Sequence, residues 1–202
     1  MKNVIIILTF ILFLNTNIYS QSEVLSEGEE LNYVVYYGFI KLGEVNMNIT
    51  GKKVENNITT YFARSEMKSY KGVPFVNLNN VFESDMEFKE NELYSKRFKA
   101  IEFNEDGKVV IEYIFNYDSN FVKVKKDYNG KTEIDTTIPF NKNVKFQDGL
   151  SLFYKARMNS FSGDNFLIPV FMNETETSVN YYFSATKEDI SISMFDEDIK
   201  SV

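Results

Sequence analysis

Apolar and polar side chains alternate at every second position along most of the chain, and that pattern admits few folds. Leu31, Tyr33, Val35 and Tyr37 share one parity, and Val45, Met47 and Ile49 alternate with Glu44, Asn46, Asn48 and Thr50. Phe82, Ser84, Met86 and Phe88 alternate with Glu83, Asp85 and Glu87. Val109, Ile111, Tyr113, Phe115 and Tyr117 form the longest apolar series, followed by Ile134, Thr136 and Ile138 and then Ile190, Ile192 and Met194. Successive side chains on a strand point to opposite faces, so each run predicts a half-buried antiparallel strand with one face on a core.

The connections have turn chemistry. Gly38 and Gly43 bracket a reversal around Phe39 to Leu42, and Asn104-Glu105-Asp106-Gly107 joins two strands. Asn129-Gly130 is the strongest hairpin signal, because a type I′ turn needs positive φ at both central residues. Such short links exclude parallel crossovers and predict a meander.

One stretch breaks the alternation. From Asp148 to Met158, Leu150, Phe153, Tyr154, Arg157 and Met158 recur at helical spacing. Asp148 is placed to cap the first turn, and Asn159-Ser160 with Ser162-Gly163-Asp164 ends the helix. So short a helix is marginal alone in water, so it is expected to lie on the concave side of a curved sheet through Leu150, Phe153 and Tyr154. The expected fold is mainly β: a curved, half-barrel-like antiparallel meander with one short helix.

The first twenty residues read as an address. Lys2 precedes a nearly continuous apolar run from Val4 to Leu14, and Ile18-Tyr19-Ser20 supplies a cleavage site before Gln21. The run is too short to cross a hydrocarbon core, which takes about 20 apolar residues. The expectation is a signal peptide at 1–20 and a single β-rich domain at 21–202, exported and without a transmembrane span after cleavage.

Composition then excludes function classes. There is no His, Cys or Trp, which removes the Ser-His-Asp triad, the Cys nucleophile, disulfides and ordinary zinc or haem sites. No metal or other cofactor is expected. The formal net charge of −7 argues against a nucleic-acid partner. An exported chain without disulfides depends on its core alone.

Asp148, Ser151, Tyr154 and Arg157 are the one compact polar set. They are the candidate ligand-binding residues, with Arg157 able to hold a carboxylate or phosphate in two-pronged fashion. The structural alternative has Asp148 capping, Tyr154 packing and Arg157 paired with an acid of the sheet. Ser151 as a nucleophile would need a desolvated Lys, and Lys155, one turn away, is expected to face water. Glu83, Asp85 and Glu87 share one strand face, which a glycosidase pair or, more simply, a solvated surface would explain. Asn104-Glu105-Asp106 and Asp196-Glu197-Asp198 lack the calcium-loop pattern and read as solubilising turns. Tyr36, Tyr37, Phe39, Phe75, Tyr181 and Tyr182 are candidates to line an apolar groove, or to fill the core.

The pattern Asp148-x-Leu150-Ser151-x-x-Tyr154-x-x-Arg157 resembles a central motif of the exported bacterial proteins grouped as domain of unknown function 3108. Gly28-Glu29 with Leu31, Tyr33, Tyr37-Gly38 and Gly43 is similar to their opening. Val81-Phe82-Glu83-Ser84-Asp85 and Lys96-Arg97-Phe98 resemble their middle. The likeness spans roughly residues 28–170 and implies a largely β envelope protein with no established activity. It further implies a place in the periplasm or at the outer-membrane periphery of a Gram-negative bacterium. Members of that family usually continue beyond the strand at Ile190–Phe195, so the expectation is a chain lacking its last strands. Two functions follow as expectations: a non-enzymatic carrier of a hydrophobic or amphipathic ligand, or an interaction protein engaging another envelope protein through sheet edges and surface aromatics.

Overall fold

The computed structural model describes residues 24–74, 77–160, 165–183, 189–190 and 199–200. Eight strands form one sheet: β1 (Glu30–Tyr37), β2 (Ile40–Glu55), β3 (Ile58–Ser69), β4 (Asn79–Lys89), β5 (Glu92–Asn104), β6 (Gly107–Asn116), β7 (Phe121–Tyr128) and β8 (Lys131–Pro139). Their spatial order is their order in sequence, every neighbouring pair is antiparallel, and the sheet is not closed into a barrel. The helix α1 (Ser151–Asn159) follows, then a hairpin of β9 (Asn165–Met172) and β10 (Thr175–Tyr182) that forms its own small sheet. A two-residue pair, β11 (Asp189–Ile190) with β12 (Ile199–Lys200), completes the described elements. The leader at 1–20, Phe75, the alternation at Ile192 and Met194, and Asp196 to Asp198 lie outside the described residues.

Tight hairpins hold the meander in register. Asn129 and Gly130 have φ of 49° and 81°, as a type I′ turn requires. The same geometry recurs at Asn56-Asn57, Glu90-Asn91 and Asn173-Glu174, where both central residues have positive φ. The first reversal is shorter than the glycine spacing suggests: β1 ends at Tyr37 and β2 begins at Ile40. Gly43 lies inside β2, where a Cβ would run into the carbonyl oxygen of Lys68 on β3. Its absence of a side chain is what lets those backbones approach.

A β-bulge between Asp85 and Met86 against β5 skips Lys96. It changes the parity of β5, so Leu93 and Ser95 point to the core before it and Phe98 and Ala100 after it. The core joins Ile49, Tyr61, Met86, Leu93, Phe115, Val122 and Val124 of the sheet to Phe146, Leu150, Tyr154, Met158 and Phe171. Rings of Phe115, Phe146 and Phe171 pack within 6.0 Å of one another. The opposite face carries cross-strand ion pairs, Arg64 with Glu83 at 2.8 Å and Arg97 with Glu112 at 2.7 Å. Glu83 and Asp85 are thus matched by cations on a wet face, as a solvated sheet surface demands.

The helix buries Ser151, Tyr154 and Met158, preceded by Leu150. Phe153 corrects the expected inward set: it is 59% exposed. Leu150, Tyr154 and Met158 recur at i+4 and form the stripe that meets the sheet, and Phe153 falls to its side. None of the helices among the described residues is long and apolar enough to cross a membrane.

Candidate functional site

The segment Phe146-Gln147-Asp148 ties the two sheets together. Phe146 accepts from the Ser95 N–H at 2.8 Å, and Gln147 exchanges backbone hydrogen bonds with β9 through Pro169 and Phe171. The Gln147 side-chain amide donates to the Leu93 carbonyl at 2.6 Å. At its end stands Asp148, which is fully buried. Its Oδ1 accepts from the N–H groups of Leu150 and Ser151 at 2.7 and 2.8 Å, and its carbonyl accepts from Leu152. Ser151 Oγ accepts in return from the Asp148 N–H at 2.8 Å. This is a reciprocal capping box in which the third residue is Ser rather than Glu or Gln.

The second carboxylate oxygen of Asp148 reaches the sheet. Ser84 on β4 and Ser95 on β5 each donate a hydroxyl to Oδ2 at 2.6 Å. Burial pushes the Asp148 carboxyl above the usual carboxylate range, and the four hydrogen bonds pull the other way. A cap that also anchors its helix to two strands explains the acid in an apolar interior.

Arg157, one helical turn beyond Tyr154, pairs with Glu29 just before β1 at 2.6 Å. That contact holds the guanidinium even more firmly charged than usual. The Tyr154 hydroxyl, Glu29 Oε2 and Arg157 Nη1 are buried without a hydrogen-bond partner among the described residues. The Tyr154 phenol is pushed up to about 12, by burial first and the nearby Glu29 charge second. Lys155 does not face water as expected. It is half-buried, and desolvation lowers its pKa. Ser151 Oγ is engaged in the capping box, not with Lys155.

Beside this anchor lies a cavity of about 610 Å³. Its floor follows the lateral rows of the sheet. Met47, Ser65, Phe82, Ala100 and Ile111 are successive cross-strand partners from β2 to β6, and all five line it. The next row brings Tyr33, Val45, Met67 and Glu102, and the row on the other side brings Phe98 and Tyr113. Gly149, Leu150 and Phe153 form one wall, and Met172 and Asn173 of the β9–β10 hairpin form another. Ser65, Ala100 and Gly149 are small residues where a packed core would carry large ones. The exposed Phe153 is accounted for here, since its ring stands at the cavity wall.

None of Asp148, Ser151, Tyr154 and Arg157 lines this cavity. They root and orient the helix whose first turn does. The groove aromatics are also placed elsewhere. Tyr36, Tyr37 and Phe39 are exposed around the first hairpin, and Tyr182 is exposed on β10. Tyr181 donates its hydroxyl to the Leu152 carbonyl at 3.1 Å. The sequence signal that would have found the cavity is the small residue at an inward position, Ser65 and Ala100, rather than the large ring. Among the described residues, no group of acids could hold a metal ion.

No curated protein and no solved structure matches the chain. One family model does, described as a protein of unknown function (DUF3108), over residues 32–199. That match includes β1 apart from its first two residues, the Asp148 anchor and every residue that lines the cavity. The chain therefore belongs to the DUF3108 family.

Proposed function

We propose that the protein is an exported, non-enzymatic envelope module that binds or carries a hydrophobic or amphipathic ligand. The observation that carries this reading is the cavity of about 610 Å³ lined by Met47, Met67, Phe98, Leu150 and Met172. Its size falls within the roughly 300–1,000 Å³ of small-molecule sites. A mostly apolar cleft of this size with few polar groups in its wall favours an apolar occupant. The leader-like residues 1–20 and the family resemblance support an envelope location.

The test is native mass spectrometry of protein purified from its own host. A discrete non-protein mass should accompany the folded chain and leave on activation. Ala100→Phe, which puts a ring at the centre of the floor, should lose that mass while the protein keeps its β-sheet circular dichroism. A wild-type protein without bound mass that also ignores every amphiphile offered would end this reading.

A second reading rests on β1. It is an outer strand of the eight-stranded sheet, and Tyr33, Val34, Val35, Tyr37, Phe39 and Ile40 are exposed at or near it. An apolar edge of this length accepts an added strand. On this reading the protein engages another envelope protein there. Val34→Lys should then remove a stoichiometric partner from envelope pull-downs while leaving any bound ligand mass unchanged.

A further inference from the structure

We infer that the cavity takes an amphiphile with a positively charged head group, and that Glu102 makes the choice of head. This rests on the ligand-binding reading above and specifies its ligand class.

Size admits an alkyl chain. A cavity of about 610 Å³ with Met47, Met67, Phe98 and Met172 in its wall falls within the usual range of small-molecule sites.

Charge sets the head. The cavity wall carries one carboxylate, Glu102, and neither Lys nor Arg. Glu102 differs from the acids of the wet face. Its cross-strand partners are Asn80 and Val109, whereas Glu83 and Glu112 are met by Arg64 and Arg97. Among the described residues Glu102 makes no ion pair. Tyr113 lines the same cavity, and its hydroxyl accepts from the Glu174 N–H at 3.4 Å. Burial pushes this phenol up to about 12 against the pull of the Glu174 N–H, and the charges of Glu174 and Glu102 add to the rise. The end of the cavity near Tyr113 is therefore acidic. A carboxylate or phosphate head would meet like charge there with no cation to answer it, and an ammonium head would find an unpaired carboxylate.

Calorimetric titration of the full chain with dodecylammonium, dodecanoate and a neutral monododecyl glycol ether, each below its micelle concentration and at low salt, tests this. Dodecylammonium should bind roughly tenfold or more tighter than dodecanoate, with the neutral ether between them. Glu102→Gln should bring the two charged probes within about threefold. Glu133→Gln removes the same charge from an exposed site on β8 and should leave the preference intact. Equal binding of all three probes by wild type, or an equal loss of preference in both variants, overturns the role of Glu102 while leaving the cavity a binding site. Failure of all three probes to bind overturns the ligand-binding reading as well.

Discussion

The strands β6, beneath the segment anchored by Asp148, and β1 are built from similar material and end in opposite states. β1 alternates Leu31, Tyr33, Val35 and Tyr37 as regularly as β6 alternates Ile111, Tyr113 and Phe115. Yet Tyr113 and Phe115 are buried, and Tyr33, Val35 and Tyr37 are not. The difference is what lies above each face. The strap at 146–148, α1 and β9 cover the middle strands, and Phe171 packs directly on Tyr113 and Phe115. The helix reaches the start of β1 through Arg157 and Glu29. Alternation states which side chains share a face. Coverage is a separate event that depends on what the rest of the chain lays over that face.

The sharpest way to break this contrast is Asp148→Ala. It removes the acceptor of four hydrogen bonds inside the protein and leaves two hydroxyls and two N–H groups without it. The expected loss is about 4–5 kcal/mol, read from urea-denaturation midpoints. A loss below about 1 kcal/mol would mean the anchor does not hold the middle of the molecule. Tyr154→Ala comes next, at roughly 3–4 kcal/mol, because a fully buried ring leaves a cavity behind. Tyr154→Phe removes a hydroxyl that lacks a partner and should cost less than about 1 kcal/mol in the same assay.

A pH series on Asp148→Asn sharpens the comparison through charge. The folded pKa of Asp148 is raised by burial. The stability contributed by the neutral acid is complete below its unfolded value, about 3.9, and is lost as pH rises through the folded value. Asn keeps an acceptor and carries no charge, so it escapes that loss. The advantage of wild type over Asp148→Asn should therefore shrink as pH rises above the unfolded value, and a growing advantage would show the carboxylate to be the favoured form. The smallest effect belongs to β1. Tyr37→Ala should change stability by less than about 0.5 kcal/mol, since 76% of that side chain is already in water.

Much of the fold was legible from short range. The runs at Val45–Ile49 and Phe82–Phe88 are strands, the run from Val109 is a strand as far as Asn116, and Asn129-Gly130 is a type I′ turn. Asp148 caps the helix as its type and position suggest. The partners of the site were not legible. Ser84 and Ser95 lie 64 and 53 residues from Asp148, and Glu29 lies 128 residues from Arg157. The parity of Ser84 with Phe82 and Met86 places it inward, but nothing in the sequence says that it and Ser95 will meet the same buried acid. The groove aromatics were not legible for a related reason: ring size reports a capacity to be buried, and the rings that do line the cavity, Phe82, Phe98, Tyr113 and Phe153, are brought there by strand register and the path of the helix.

What this sequence determined by itself is local: which residues alternate, where the chain reverses and where a helix begins. Those depend on φ, ψ and side-chain parity, which neighbouring residues set between them. Only the tertiary structure decided that the Asp148 carboxylate joins helix to sheet, that β1 stays uncovered, and that small side chains from separate strands line up beneath one void. Those outcomes depend on strand register and on the path of the segment after β8, which bring residues far apart in the chain into contact.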